Sequence, residues 1–123
     1  MPNPEPSRQL VYKLCPAATW RAACEQAFYT GSADDVRDGF IHLSTKVQLA
    51  GTARRYFAGE QGLVLVALDV ARLGPSLRWE PSRGGQLYPH LYAPLDVEAA
   101  VSVIALSLGP DGVPLLPTGS TGP

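Results

Sequence analysis

The sequence predicts an α+β fold, built as one compact domain with a bent or split, mainly antiparallel sheet and two main helices. Strand-length apolar segments alternate with two helical patterns in the first half, and the second half contains mostly strands. A chain of 123 residues suits a single core. We therefore predict one domain over residues 8–117, between flexible tails at residues 1–7 and 118–123 that are rich in proline or glycine.

The first two elements are a strand and a helix. Residues 9–14 alternate between the two faces as a strand requires, and Pro16 suits the first turn of a helix. The apolar stripe of that helix is predicted to contain Trp20, Ala23, Cys24 and Ala27. Residues 31–39 are polar and begin and end with glycine, so we predict a loop there.

A second strand and helix follow that loop. Residues 40–43 fit a short strand, and Thr45 with Gln48 three residues later forms a capping-box pattern. The helix that follows is predicted to stop at Gly59, because glycine commonly ends helices.

The second half of the chain is predicted to be mainly strands. Residues 63–68 are apolar and rich in valine, which predicts a central strand covered on both faces. Residues 77–80 and 101–108 fit further strands. Residues 88–95 contain two prolines, so we predict an edge or irregular strand there.

Composition excludes several classes of protein. Ten basic and eleven acidic residues leave a net charge of −1, which offers no general attraction to nucleic acid or to acidic lipid. The sequence has no apolar run near the roughly 20 residues that a membrane helix needs. Cys15 and Cys24 lack metal-site spacing and are predicted to be buried, reduced thiols, which makes the cytoplasm the expected compartment.

Residues 79–92 contain more reactive groups than a connection between strands requires. Glu80, Arg83 and His90 lie there among three aromatic residues, Trp79, Tyr88 and Tyr92. Loops that carry such groups between apolar strands are frequent positions for binding and catalytic sites.

The individual residues of this segment allow two interpretations each. Arg78 and Glu80 share one face of a strand, either as a surface ion pair or as part of a cleft, while Trp79 is predicted to face the core. Arg83 suits a phosphate or carboxylate ligand, or is a solvated turn residue. In an extended chain, His90 shares a face with Tyr88 and Tyr92, which either sandwich a planar ring or pack as an aromatic cluster.

The other histidine, His42, lies at a strand end next to Ser44 and Thr45. Backbone N–H groups at a helix start attract anions, and the hydroxyls add donors, so this end can bind phosphate or ribose. The alternative is a half-buried histidine that a backbone carbonyl satisfies. The sequence lacks the usual dinucleotide, P-loop, zinc-protease and serine-hydrolase motifs.

Several strings resemble the small bacterial family known as domain of unknown function nine-fifty-two. They are YK at residues 12–13, GFIHLST at 39–45, FAG at 57–59, LRWE at 77–80, SRGG at 82–85 and YPHLY at 88–92. The resemblance covers residues 10–117. It implies a fold similar to that of the ADP-ribosyltransferases, which hold NAD in a split, bent sheet.

The resemblance also implies roles for particular residues. Residues 40–45 resemble the middle-strand motif of the transferases, with His42 and Ser44 facing the pocket. Lys13 stands where that group has a histidine or arginine for the adenosine ribose. Glu80 resembles the acidic residue that stabilises the ribosyl cation as nicotinamide leaves.

These observations support one main hypothesis and two alternatives. The chain is expected to bind NAD, as a substrate, or an ADP-ribose-like nucleotide, with His42 and Glu80 as catalytic residues. The expected ligand-binding residues are Lys13, Ser44, Thr45, Arg78, Arg83, Tyr88, His90 and Tyr92. The first alternative is a non-catalytic module for a small anionic metabolite or a partner protein. The second is phosphate transfer on RNA, which the near-neutral charge disfavours.

Overall fold

A computed structural model describes residues 9–117, without the side chain of Arg83; the two predicted tails lie outside this range. Within it there are eight strands and four α-helices. The strands are β1 Leu10–Pro16, β2 Phe28–Tyr29, β3 Ile41–His42, β4 Leu63–Asp69, β5 Leu77–Pro81, β6 Leu87–Leu91, β7 Leu95–Asp96 and β8 Ala100–Ala105. The helices are α1 Ala17–Gln26, α2 Ala33–Asp38, α3 Leu49–Tyr56 and α4 Val70–Leu73, with three short 3-10 turns.

The strands form three antiparallel sheets. The largest have the orders β1-β4-β8 and β3-β6-β5, and β2 pairs with β7. Among the described residues, one bridge links β1 to the segment just after β3: the backbone N–H groups of Tyr12 and Ser44 each donate to the other's carbonyl, at 2.8 and 2.9 Å. The prediction of an α+β fold with a divided, mainly antiparallel sheet is therefore confirmed.

Strand β4 forms the centre of the core, as its apolar sequence predicts. Residues 63–68 are all buried between β1 and β8. Alternate β4 side chains enter two apolar clusters, one with Val64, Val66 and Leu68 and the other with Leu65 and Ala67. A strand covered on both faces needs no polar alternation, which explains its uniform composition.

The predicted loop at residues 31–39 is wrong, because this segment contains α2. Ser32 and Asp35 cap the helix reciprocally: the Ser32 backbone N–H donates to the Asp35 carboxylate, and the Asp35 N–H donates to the Ser32 hydroxyl. Gly39 ends the helix at φ +86°, a conformation that glycine adopts without strain. With α2, the fold has a helix beyond the two main helices that were predicted.

The reciprocal bonds predicted between Thr45 and Gln48 form, but they close the turn before the helix, whose N-cap is Gln48. The Thr45 backbone N–H donates to Gln48 Oε1 at 3.0 Å, and the Gln48 N–H donates to the Thr45 hydroxyl at 3.2 Å. These bonds fix the turn that precedes α3. The helix ends at Tyr56, three residues before the predicted stop at Gly59.

Two predictions about the β3-β6-β5 sheet are wrong. Residues 87–91 form its middle strand, β6, although Pro89 suggested an edge. The neighbouring β3 is only two residues long, and just beyond it the Leu43 N–H donates to the Pro89 carbonyl, while Pro89 has no N–H to return a bond on that side. Trp79 is 37% exposed rather than in the core, and no residue of β5 is buried.

The two cysteines differ in burial. Cys15 is buried as predicted, and burial raises the pKa of its thiol to about 11, whereas Cys24 is exposed on α1, contrary to the prediction. None of the helices in the described range is long and apolar enough to cross a membrane.

Candidate functional site

The two histidines lie opposite each other on neighbouring strands of the β3-β6-β5 sheet. His42 on β3 pairs directly with His90 on β6, and their ring centroids are 5.7 Å apart. Both line a cavity of about 290 Å³, which we call the histidine cavity. Its walls are Tyr12, Lys13, Leu14, Ser32, Asp34, Asp35, Arg37, Asp38, His42, Leu43, Ser44, Thr52, Tyr56, Phe57, Ser82, Tyr88 and His90.

Asp35 holds one side of the cavity together. Its carboxylate accepts hydrogen bonds from Lys13 Nζ at 3.0 and 3.3 Å and from the backbone N–H groups of Ser32 and His42. The Lys13 ammonium also donates to the His42 carbonyl at 2.9 Å. Lys13 and Asp35 are both buried, so two opposite charges lie away from water with their hydrogen bonds made.

The surroundings of Asp35 keep it ionised. Burial alone raises the pKa of a carboxyl group, but the hydrogen bond from His42 and the charge of Lys13 outweigh it. Together with the backbone N–H donors, they hold the pKa of Asp35 well below its usual range. The buried carboxylate is therefore a permanent anion in the folded protein at neutral pH.

The His42 ring lies between two carboxylates. Nδ1 is 2.6 Å from Asp35 Oδ1, and Nε2 is 2.9 Å from Asp38 Oδ2. Carboxylates only accept hydrogen bonds, so both bonds form together only when both ring nitrogens carry protons. The hydrogen bond from Arg37 lowers the pKa of Asp38, which favours the ionised carboxylate here.

His90 is buried and belongs to a second cluster, whose other members are partly exposed. Its Nδ1 is 2.8 Å from Glu80 Oε1, which also accepts a 2.7 Å bond from the Tyr92 hydroxyl. These bonds, first from His90 and then from Tyr92, lower the pKa of Glu80, and the same carboxylate raises the pKa of Tyr92. Because Glu80 occupies Nδ1, Nε2 is the ring nitrogen with which His90 can contact a ligand.

Phe40 packs against both histidines. Its ring stacks on His90 with centroids 4.0 Å apart and 27° between the planes, and it lies 4.6 Å from His42 and 5.2 Å from Tyr92. This ring fixes the orientation of each imidazole from one side.

The hydroxyl groups near the cavity have separate functions. Ser44 is buried and its Oγ lies 2.9 Å from Thr52 Oγ1, so the two hydroxyls form one polar pair in the wall. Thr45 serves the capping box instead and is outside the wall.

The structure brings together five of the predicted site residues. They are Lys13, His42, Ser44, Tyr88 and His90. Glu80 is absent from this wall in the described part of the chain and reaches the site only through His90. Arg78 lies with its guanidinium 5.0 Å from the Tyr92 ring, and Tyr92 lines a second cavity of about 270 Å³. The Arg83 side chain lies outside what the structure describes, so its predicted role stays a prediction.

Sequence reasoning missed the acidic side of the site. Asp35 and Asp38 lie on α2, which was predicted as a loop. Two signals were present: Ser32 precedes Asp35 by three residues, as an N-cap pair does, and Asp38 precedes His42 by four. Thr52 and Tyr56, four residues apart on α3, were missed because only the packing of α3 brings them to the cavity.

No group of three or more His, Cys, Asp or Glu side chains within residues 9–117 is arranged to hold a metal ion.

Comparisons with known proteins identify the family. The X-ray crystal structure of protein CC0527 from Caulobacter crescentus is 48% identical to this chain, with a TM-score of 0.85 over 87% of this chain and 94% of that one. The solution NMR structure of CC0527 has 46% identity and a TM-score of 0.79 over 91% and 95% of the two chains. The comparison with curated proteins gave no match. Residues 14–103 match the family model described as "Protein of unknown function (DUF952)", and the chain therefore belongs to this family.

Proposed function

We propose that the chain binds NAD or an ADP-ribose-like nucleotide, with a ribose and its attached ring in the histidine cavity. The observation that carries the proposal is the pairing of His42 with His90 across β3 and β6, at the wall of one cavity. Ribose hydroxyls both donate and accept hydrogen bonds, and the imidazoles, the carboxylates and the Ser44–Thr52 pair supply partners of both kinds.

The size of the cavity favours half of a dinucleotide. Ligand sites commonly have volumes of roughly 300–1,000 Å³, and the histidine cavity, at about 290 Å³, is at the lower end. Four aromatic residues in its wall supply faces on which a planar ring can stack: Tyr12, Tyr56, Phe57 and Tyr88. The rest of a dinucleotide would extend out of the cavity along the protein surface.

Transferase chemistry is the finer form of this proposal. When the C1′–N bond breaks and nicotinamide leaves, positive charge develops on the ribose, and nearby carboxylates stabilise it until water or an acceptor nucleophile forms the new bond at C1′. Glu80, the predicted catalytic carboxylate, would act through His90, whose ring it orients at 2.8 Å. Asp38, which is partly exposed and lies 2.9 Å from His42 Nε2, is the carboxylate better placed to face the ribose directly.

One observation favours the non-catalytic alternative. Lys13 and Glu80 were expected to perform the ribose-binding and cation-stabilising roles, yet Lys13 is buried against Asp35 and Glu80 is bonded to His90 and Tyr92. With both groups occupied, the site would bind a nucleotide or a small anionic metabolite without transforming it.

The experiment combines a binding measurement with a product assay. NAD and ADP-ribose are titrated by calorimetry, while NMR follows the imidazole signals of His42 and His90. We expect both histidines to shift on binding, and we expect His90→Asn to weaken binding more than Tyr92→Phe, which leaves the His90–Glu80 bond in place. Histidine signals that do not move at millimolar ligand would contradict the proposal.

Free nicotinamide, measured by chromatography after incubation with NAD, separates the two forms of the proposal. Release that Asp38→Asn abolishes supports the transferase form. Saturable binding without release supports the non-catalytic form.

A further inference from the structure

Helix α3 presents one edge to the mouth of the histidine cavity. Thr52 and Tyr56 line the cavity, and Gln48, just before the helix, donates from Nε2 to the Leu87 carbonyl of β6 at 2.8 Å. Arg55 follows Gln48 by seven residues, so on a helix of 3.6 residues per turn it lies only about 20° from Gln48 and about 60° from Thr52. The Arg55 side chain therefore leaves α3 on the same edge as Gln48 and Thr52, about two turns beyond Gln48.

Arg55 differs from its neighbour Arg54 in its contacts. Among the described residues, Arg55 is exposed and has no hydrogen-bond or ion-pair partner. Arg54 leaves the helix about 160° from Thr52, and its Nη2 lies 3.6 Å from Asp111 Oδ2. One cation of this pair thus has a structural partner away from the cavity, while the other is available beside it.

The two sides of the cavity carry different charge. The α2 side contributes three aspartates, Asp34, Asp35 and Asp38, against a single arginine, Arg37. Arg37 is already bonded to Asp34 and Asp38. A phosphate at that side would meet the carboxylates. The α3 side has no acidic residue between Gln48 and Tyr56, so an anionic group is drawn there.

We propose that Arg55 binds the phosphate of the nucleotide at the cavity mouth, between α3 and the hairpin turn that contains Ser82. The guanidinium matches two phosphate oxygens at once, which a lysine ammonium does not. Ser82, which lines the same cavity, brings its hydroxyl to this side. The inference deepens the proposed function and rests on it: the sugar lies in the cavity and its phosphate lies outside, against α3.

The test compares ligands with and without phosphate on matched variants. Calorimetry measures ADP-ribose and nicotinamide riboside, which lacks phosphate, against the wild type, R55Q and R54Q. We expect R55Q to weaken ADP-ribose binding about tenfold and to leave nicotinamide riboside unchanged. R54Q removes the same charge from the opposite edge of the helix and is expected to change neither affinity. R55K keeps the positive charge but cannot bind two phosphate oxygens at once, so it should bind ADP-ribose more tightly than R55Q and less tightly than the wild type.

The outcomes separate this inference from the proposed function. Equal ADP-ribose affinity in the wild type and R55Q, or an equal loss in R54Q, would overturn the role of Arg55 while leaving nucleotide binding intact. A wild type that binds neither ligand would overturn the proposed function and the Arg55 assignment together. An unchanged melting temperature of R55Q shows that a lost affinity reflects the site and not the fold.

Discussion

The site contains two histidine–carboxylate pairs that differ in how deeply each carboxylate lies. The Asp35 side chain is 2% exposed and accepts bonds from His42, Lys13 and two backbone N–H groups. The Glu80 side chain is 33% exposed and accepts from His90 and Tyr92. In the first pair the carboxylate is buried and the imidazole is partly exposed, whereas in the second the imidazole is buried and the carboxylate, on an edge strand, is partly exposed.

This difference indicates that two similar pairs in one site have different roles, one in the stability of the fold and one in the orientation of a histidine. A buried ion pair is costly to break, because removing one partner leaves the other charge without compensation. A partly exposed pair is screened by water and contributes little to stability. We therefore expect the Asp35 pair to hold the fold in place and the Glu80 pair to orient His90.

The largest expected effect is that of Asp35→Asn. The substitution leaves the Lys13 ammonium buried without its anion, and we expect a loss of about 3–5 kcal/mol in the free energy of unfolding, measured with urea. The control is Asp34→Asn, whose side chain is 65% exposed in the same helix. A loss of similar size in both variants would contradict the distinction between the two regions.

A smaller loss in the free energy of unfolding is expected when the pH is lowered. The folded pKa of Asp35 lies below its unfolded value, so its contribution to stability is complete above the unfolded pKa of about 3.9 and is lost as the pH falls toward the folded pKa. Unfolding free energies from pH 6 down to pH 3 should therefore decrease more steeply for the wild type than for Asp35→Asn. Parallel curves would show that Asp35 does not titrate differently in the two states.

The smallest effect on stability is expected from Glu80→Gln. A neutral amide accepts the His90 Nδ1 proton less strongly than a carboxylate does, so the tautomer of His90 should become mixed, as read from its ¹⁵N chemical shifts. The melting temperature should change far less than in Asp35→Asn. Tyr92→Phe leaves the His90–Glu80 bond intact and should keep the wild-type tautomer; a mixed tautomer there would assign the orientation of His90 to Tyr92.

Local patterns predicted the parts of the fold that depend on local physics. The apolar run at residues 63–68 forms a covered strand, and Thr45 and Gln48 make their reciprocal bonds, although in the turn before α3. The middle position of β6 was not predictable from Pro89 alone, because it depends on how short its neighbour β3 is.

The site was predictable only in part, for a related reason. His42 and His90 were predicted as site residues because they are polar residues near the ends of apolar strands. The Lys13–Asp35 pair joins residues 22 positions apart, and no periodicity within either segment indicates the other. Contacts of this kind arise from packing of separate elements, so Asp35 was found only in three dimensions.

The short length of β3 has a consequence for how the protein folds. Only two residue pairs, Ile41–Leu91 and His42–His90, join β3 to β6, and a one-residue slip of such a strand would turn its side chains to the opposite face. Asp35 resists this slip by accepting both the backbone N–H and the ring nitrogen of His42. The alignment of this strand thus depends in part on a helix outside the sheet, so the native register and the His42–Asp35 half of the candidate site share the same contacts.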